Sequence, residues 1–312
     1  MDDIALDPEI AASLARAPEQ PRLSAATLDA ARAAREELFA RLPRSEEVER
    51  VDHVVRDDPR LVVRVHRPKG ISGPLPCVFS MHGGGYVIGS YEMDDLRFDE
   101  LCPLVPCIGV AVEYRLAPET PYPGPLEDCY AALRWTFDHA TELGIDREQI
   151  GVIGTSAGGG LAAAVTLLAR DRAEVPLAFQ LLECPMLDDR QATPSSRRDD
   201  LPIWTREENE LGWRSYLGEL YGGDVPSYAA PSRASDLRGL PRTLIVVGTA
   251  DGFLDEDVDY ASRLSRAGVL TDLHVLAGVP HGVAAFARSS ARQRWSALVG
   301  DWLRRQAGRA PG

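Results

Sequence analysis

A serine between two glycines is the feature of this sequence best suited to chemistry. Ser156 stands between Gly154 and Gly158, where an apolar stretch meets a segment rich in alanine and leucine. This G-x-S-x-G pattern is typical of a sharp strand-to-helix turn that lifts the serine Oγ clear of a sheet. The same letters also fit a glycine-rich turn whose serine only caps a helix, so the surrounding sequence has to decide between a nucleophile and a cap.

Three further polar groups follow apolar runs and complete a candidate site. His82 is followed by three glycines, and such a loop can aim backbone N–H groups at developing negative charge. Asp251 and His281 each follow a later run. Asp251 could instead begin a helix, although Asp255 fits that capping role better. The order Ser156, Asp251, His281 is the order of a nucleophile, an acid and a base in the α/β-hydrolase fold.

The elements that must position these residues alternate between strand and helix. The apolar runs that predict strands are 77–81, 108–113, 150–153, 177–182, 244–247 and 273–276. The segments that predict helices are 125–140, 157–171, 256–267 and 289–306. This alternation predicts a mostly parallel sheet with helices on both faces, and ligands bind such sheets beyond the carboxyl ends of the strands.

The N-terminal residues 1–50 precede this alternation and predict part of a helical cap. An amphipathic helix is expected over 25–42, with Ser24 as its N-cap. Alternating apolar residues over 51–67 then predict antiparallel strands at one edge of the sheet.

A second segment, residues 187–235, interrupts the alternation and predicts the rest of the cap. Thr205 and Glu208 form a capping box at the start of its helix. Four side chains share one face of that helix, which is also consistent with simple packing: Trp213, Tyr216, Leu217 and Leu220. The catalytic domain is expected to comprise residues 51–186 and 236–312.

Composition argues against several other classes of protein. The 312 residues carry a net charge of −13 with no offsetting basic run, so neither nucleic acid nor an anionic membrane is an expected partner. The sequence begins without the basic and apolar regions of a signal peptide, and no apolar stretch approaches a membrane span. Five cysteines, mostly in apolar runs, predict reduced core thiols of a cytoplasmic protein. The six histidines are scattered, so no metal is expected.

Taken together, these motifs resemble the hormone-sensitive-lipase-like esterases, family IV of the bacterial lipolytic enzymes. The resemblance extends from about residue 50 to about residue 305 and rests on five motifs: HGGGYVIGS at 82–90, YRLAPE at 114–119, ED at 127–128, GTSAG at 154–158 and DGFLDE at 251–256. Thr155 replaces the aspartate that more often precedes the serine, which places the chain in the GTSAG subgroup. Gly252 stands where proline often follows the acid. Val283 replaces an aromatic residue, which bears on the shape of the acyl pocket.

The resemblance implies a cofactor-free serine carboxylesterase that acts on short- to medium-chain acyl esters. Ser156 would attack the ester carbonyl, and His281 would take the serine proton and later give it to the leaving alcohol. Asp251 would hold the imidazole in the required tautomer. Three backbone N–H groups would bind the tetrahedral oxyanion, those of Gly83, Gly84 and Ala157.

The resemblance also bears on residues around this site. His82 would anchor its loop through side-chain hydrogen bonds and take no part in proton transfer. Tyr86 and Trp204 are candidates for the substrate wall, although each could equally be a packing residue. The subgroup also implies a homodimer.

Other functions fit parts of the sequence. Gly158, Gly160 and Ala163 match a dinucleotide-binding fingerprint, but they lie inside the predicted helix and leave His281 unexplained. A non-catalytic small-molecule receptor could share the fold, but it would be expected to lack a member of the serine, acid and histidine set. An amidase, an arylformamidase or a lactonase could use the same groups, and the sequence does not separate these activities from ester hydrolysis.

Overall fold

The computed structural model describes residues 4–17 and 21–307, and in these residues eight strands form one mixed sheet. The strands are β1 (Val48–Asp57), β2 (Arg60–Pro68), β3 (Leu75–Met81), β4 (Ile108–Glu113), β5 (Ile145–Thr155), β6 (Phe179–Glu183), β7 (Arg242–Ala250) and β8 (Thr271–Pro280). Their order across the sheet is β1-β2-β4-β3-β5-β6-β7-β8. Strand β2 is antiparallel to both β1 and β4, and the remaining neighbours are parallel. The predicted α/β-hydrolase architecture is confirmed, with its antiparallel strands at one edge.

Helices cover both faces of this sheet. They are α1 (Pro8–Leu14), α2 (Leu28–Arg41), α3 (Met93–Leu104), α4 (Gly124–Asp138), α5 (Ala140–Leu143), α6 (Ala157–Arg172), α7 (Arg206–Leu217), α8 (Leu254–Arg266) and α9 (Ser290–Ala307). Helices α4, α6 and α8 pack on one face, and α1, α3 and α9 pack on the other. Neighbouring side chains on a strand enter opposite cores, as Val78 and Phe79 do on β3, because the side chains of a strand alternate. None of the described helices is long and apolar enough to cross a bilayer.

Two local predictions differ from the structure near the chain start and after β3. Ser24 does not cap α2, which begins at Leu28 with Thr27 at the N-cap position. The backbone N–H of Ser24 instead donates to Thr27 Oγ1 at 2.9 Å, because the residues before the helix form a turn closed by their own side chains. Helix α3 was not predicted, since it buries two aspartates as well as apolar residues and contains Pro103.

The predicted capping box of α7 is confirmed. Thr205 Oγ1 accepts from the Glu208 backbone, and the Glu208 carboxylate accepts from the Thr205 backbone at 2.9 Å. Three of the four predicted apolar side chains on its inner face are fully buried, namely Trp213, Tyr216 and Leu217. Leu220 follows in a short 3-10 helix (Gly218–Leu220) and is partly buried.

The segments 1–50 and 187–235 contact each other and the loop after β3. The Leu23 backbone N–H donates to Glu208 Oε1 at 2.9 Å and joins the two segments. Arg32 on α2 donates to the carbonyl of Val87 at 2.8 Å. Residues 1–3, 18–20 and 308–312, which belong to the predicted cap and catalytic domain, lie outside the described residues.

The fully buried carboxylate of Asp128 fixes α4 against the antiparallel edge of the sheet. Its Oδ1 accepts from Arg56 at 2.6 Å, and its Oδ2 accepts from Arg115 Nε at 2.7 Å. We expect Asp128→Asn to lower the free energy of unfolding by about 3 kcal/mol, because a buried ion pair loses one partner. Urea denaturation measures this change.

Asp138→Asn is the matched control, since this carboxylate is 52% exposed and lies 3.8 Å from Arg134. An exposed pair of this kind contributes less than about 1 kcal/mol. Equal losses for the two variants would contradict the argument from burial.

Candidate active site

Ser156 occupies a strained turn between β5 and α6. Its backbone has φ 59° and ψ −123°, a combination that costs a residue with a side chain on the order of 1–3 kcal/mol. A Cβ at Gly154 would overlap the carbonyl of Gly158, and a Cβ at Gly158 would overlap the carbonyl of Met81. Both positions therefore require glycine, because the backbone of the turn passes very close to the backbone of neighbouring segments.

The structure brings Ser156, His281 and Asp251 into one chain of hydrogen bonds. His281 Nε2 lies 2.9 Å from Ser156 Oγ, and His281 Nδ1 lies 2.8 Å from Asp251 Oδ2. The other carboxylate oxygen of Asp251 accepts from the Phe253 backbone at 3.0 Å, which fixes the orientation of the carboxylate. With the imidazole proton on Nδ1 and directed at Asp251, Nε2 is free to accept the hydroxyl proton of the serine.

Asp255 has a different role from the one expected. Helix α8 has Phe253 at its N-cap position, and no side chain caps it. The carboxylate of Asp255 instead accepts from the Ser195 backbone at 2.8 Å, and Ser195 Oγ donates to the carbonyl of Gly252 at 2.9 Å. The predicted capping role is therefore wrong. Asp255 ties the segment 187–235 to the chain that follows β7.

The glycine loop after β3 passes directly beside the serine. A Cβ built on Gly83 would lie 2.9 Å from the carbonyl oxygen of Thr155 and 3.3 Å from the Cβ of Ser156. Gly84 has φ +123°, and its carbonyl accepts from the backbone of Ile88 at 3.0 Å. The loop is thus a closed turn that holds its first peptide groups against the end of β5.

His82 anchors this loop from the inside. Its ring stacks on Tyr114 with centroids 4.2 Å apart, and its Nδ1 lies 2.8 Å from the carbonyl oxygen of Gly83. The Tyr114 hydroxyl donates to the carbonyl of His82 at 2.7 Å. Burial lowers the pKa of His82 to about 4, so the imidazole is neutral at physiological pH. These contacts agree with the anchoring role expected for this histidine.

Tyr86 lies in the core beneath the loop. Its ring stacks on Tyr216 with centroids 4.0 Å apart, and its hydroxyl donates to the carbonyl of Met186 at 3.2 Å. Only 1% of the residue is exposed. Packing, the alternative interpretation of this tyrosine, accounts for all of these contacts.

Trp204 lies above the loop and near the histidine. A Cβ on Gly85 would overlap the Trp204 ring, so the ring rests directly on the loop backbone. The Trp204 and His281 centroids are 6.4 Å apart, and the indole N–H donates to Asn209 at 3.3 Å. Trp204 thus contacts the backbone of the glycine loop and lies beside the imidazole.

Two residues near the histidine were not singled out from the sequence. Phe253 packs edge-on against the His281 ring at 5.0 Å, and its position in the DGFLDE motif was the available signal. Cys184 lies behind the acid, and its Sγ is within 4.8 Å of ligand atoms of Asp251 and His281. Cys184, Asp251 and His281 form the one group of three potential metal ligands found within that distance among the described residues. Asp251 and His281, however, are already hydrogen-bonded to each other.

Two further buried acids, Glu256 and Asp257, lie close enough to Asp251 to interact with it electrostatically. Glu256 and Asp257 are buried, and burial raises the pKa of each carboxyl well above its ordinary value. Glu256 Oε1 accepts from the backbone of Leu187 at 2.9 Å.

Several proteins similar to this chain are named as esterases. Residues 78–285 match the α/β-hydrolase fold family. A carboxylesterase of Mycobacterium tuberculosis, NlhH, is 38% identical over 72% of each chain, and an esterase of the same organism, LipI, is 37% identical over 68% of this chain and 67% of its own. An arylesterase of Saccharolobus solfataricus is 32% identical over 80% of each chain.

Solved structures of esterases are also similar to this protein, over nearly its whole chain. A structure described as bacterial heroin esterase has a TM-score of 0.91 and 43% identity, and the match covers 98% of this chain and 99% of that one. The esterase LipW of Mycobacterium marinum has a TM-score of 0.89 and 35% identity, with 98% and 97% covered. These matches support the resemblance to the hormone-sensitive-lipase-like carboxylesterases. The chain belongs to the α/β-hydrolase fold family and is a carboxylic ester hydrolase.

Proposed function

We propose that Ser156 is the nucleophile of a serine carboxylesterase that works through an acyl-enzyme intermediate. The observation that carries the proposal is the continuous chain of hydrogen bonds from Ser156 through His281 to Asp251. His281 Nε2 takes the Oγ proton as Oγ attacks the ester carbonyl carbon, and returns it to the departing alkoxide. Water then attacks the acyl-serine along the same proton path and releases the carboxylic acid. Asp251 keeps the imidazole in the tautomer that both steps need.

We assign the oxyanion hole to the backbone N–H groups of Gly83, Gly84 and Ala157. Two observations support the assignment. Gly83 packs against the Cβ of Ser156, and Ala157 is the first residue of α6, where helix N–H groups present partial positive charge. Each donor of this kind contributes on the order of a hundredfold to a thousandfold in rate.

We propose that residues 1–50 and 187–235 form a cap over a catalytic domain made of residues 51–186 and 236–312. The bond from Leu23 to Glu208 supports this division, because it joins the two cap segments directly. The contact of Trp204 with the glycine loop supports the proposal that the cap forms one wall of the acyl or alcohol pocket.

The preferred substrates in this proposal are short- to medium-chain esters, including esters of aromatic alcohols. Trp204 and Phe253 give the surroundings of His281 aromatic character, and two of the similar proteins are named arylesterase and heroin esterase. Amide, formamide and lactone substrates would use the same groups. Comparison of 4-nitrophenyl esters with aryl amides and N-formylkynurenine separates these activities, and ester turnover below that of the amides would overturn the proposal.

We propose membership of the GTSAG subgroup, a cytoplasmic location and a homodimer, with no nucleic acid and no stable membrane association. The five buried free cysteines and the net charge of −13 support the location and the partners. The edge position of β8, with Leu270 exposed beside it, supports an interface between two copies. Sedimentation velocity tests the dimer, and a single monomeric species would exclude it.

Ser156→Ala tests the nucleophile. We expect ester turnover to fall to about 10³–10⁴-fold over the uncatalysed rate, far below the wild-type rate, because the covalent route is lost while other binding groups stay. The free energy of unfolding should change little, since only one hydroxyl is removed. Kinetics with 4-nitrophenyl butyrate, beside thermal melts, measure both quantities. A folded variant that keeps a tenth of wild-type kcat would contradict the assignment.

A pair of variants at Asp251 and Asp255 tests the acid. Asp251→Asn should lower kcat by about 10⁴, because an asparagine favours the wrong imidazole tautomer. Asp255→Asn is the matched control, since its amide oxygen can still accept from the Ser195 backbone, and kcat should stay within about threefold of wild type. If Asp255→Asn were the less active of the two folded proteins, the acid would have to be reassigned.

The length of the acyl chain tests the cap as a fixed boundary. Each methylene stabilises binding by about 0.8 kcal/mol only while apolar wall remains to receive it. We expect kcat/KM on 4-nitrophenyl esters to be largest at about four to eight carbons, in keeping with a bounded apolar pocket. Emulsified long-chain triglycerides should be poor substrates. A maximum at about sixteen carbons, or a rise in rate when an interface forms, would indicate a mobile lid instead.

A further inference from the structure

Glu183, the last residue of β6, contacts the serine turn through both its backbone and its side chain. Its carbonyl accepts from the backbone N–H of Ser156 at 2.9 Å. Its Oε2 accepts from the hydroxyl of Thr155 at 2.9 Å. Thr155 and the strained residue Ser156 are therefore both bonded to one residue of the neighbouring strand.

Arg97 on α3 and Trp295 on α9 complete this cluster. Arg97 donates to Glu183 Oε2 at 2.5 Å and to Thr155 Oγ1 at 2.6 Å, and it also donates to Asp94 at 3.2 Å. The Trp295 indole N–H donates to the other oxygen of Glu183 at 2.6 Å. Residues from β5, β6, α3 and α9 thus meet at the position directly before the serine.

The cluster is balanced so that Glu183 stays charged although it is only 7% exposed. Burial alone would raise the pKa of its carboxyl, but Arg97 together with the donors Trp295 and Thr155 outweighs burial and holds the pKa below its ordinary value. The Thr155 hydroxyl accepts from the guanidinium and donates to the carboxylate. The position between these two charges therefore needs a neutral side chain that can both accept and donate a hydrogen bond.

We propose that Glu183, Arg97 and Thr155 are positioning residues that hold Ser156 in its strained conformation, with Glu183 supplying the carboxylate that bonds to both Arg97 and Thr155. The proposal rests on the proposed role of Ser156 as nucleophile. It also gives a physical reason for Thr155, which stands where related esterases more often carry an aspartate. A second carboxylate at position 155 would lie about 3 Å from Glu183, and the repulsion between two like charges at that distance disfavours having both ionised.

The central experiment is a double-mutant cycle with Thr155→Asp, Glu183→Gln and the combination of both. We expect each single variant to lower kcat about tenfold or more, with KM within about twofold of wild type, because the cluster touches no substrate. The double variant should return kcat to within about threefold of wild type. In it, the glutamine can still accept from Trp295 and can donate to the new aspartate, and the number of carboxylates around Arg97 is the same as in the wild type.

A second pair of variants separates positioning from general loss of packing. Thr155→Val should lower kcat about threefold to tenfold, because its hydroxyl links Arg97 to Glu183. Thr166→Val is the matched control, since the Thr166 hydroxyl is also buried but donates within α6 to the carbonyl of Ala162. We expect the control to change the melting temperature by as much as Thr155→Val and to leave kcat unchanged.

The outcomes distinguish this proposal from the assignment of the nucleophile. Fluorophosphonate labelling of the wild type but not of Ser156→Ala would support Ser156 as the nucleophile. This result would not by itself support the positioning proposal. If wild type labels but the double variant is no more active than Thr155→Asp, the positioning proposal fails while the nucleophile stands. Equal kcat losses in Thr155→Val and Thr166→Val would also overturn it. If wild type does not label, the proposed function itself fails.

Discussion

The strained backbone at Ser156 is the constraint on which the rest of this structure depends. A residue with a side chain adopts φ 59° only when its surroundings hold it there, and the cost of about 1–3 kcal/mol has to be offset by contacts that the relaxed turn would lose. Those contacts come from elements far apart in sequence. The carbonyl of Glu183 holds the Ser156 N–H, and the N–H groups of Gly160 and Met186 hold its carbonyl at 3.0 and 2.9 Å. The parallel order of β3, β5 and β6 puts these groups in reach of one another.

Burial determines which groups around the site are charged. His82, Glu256 and Asp257 are all buried, and the shifts in their pKa values each favour the neutral form. Glu183 is equally buried but keeps its charge, since Arg97 and two further donors compensate for desolvation. Burial thus acts in the same direction at these carboxyls, but the net pKa shifts are opposite. At Glu183, Arg97 acts together with Trp295 and Thr155 and outweighs burial, whereas Asp94, which also accepts from Arg97 at 3.2 Å, keeps a raised pKa.

Much of the fold and of the candidate site could be predicted from local sequence. Strands were recognisable from their apolar runs, most of which are buried, and the turn at Ser156 was recognisable because close backbone contact admits only glycine at positions 154 and 158. Other features depended on partners distant in sequence. Helix α3 buries Asp95, which pairs with Arg44 and Arg64 from other elements, and Asp94, which pairs with Arg97 of the same helix, so its pattern of apolar residues is weak. Asp255 resembles a helix cap in sequence, but a loop some 60 residues earlier takes its carboxylate.

The sequence by itself determined the order of strands and helices and the chemical types at the strand ends, because periodicity and glycine requirements are local properties of a chain. It also determined that a serine, an acid and a histidine would occur in that order. Only the tertiary structure decided that His281 lies 2.9 Å from Ser156, 125 residues away, and 2.8 Å from Asp251. It likewise decided that Tyr86 turns into the core while Trp204 rests on the glycine loop. Distances of this kind follow from how the sheet and its flanking segments pack, and packing is a property of the whole chain.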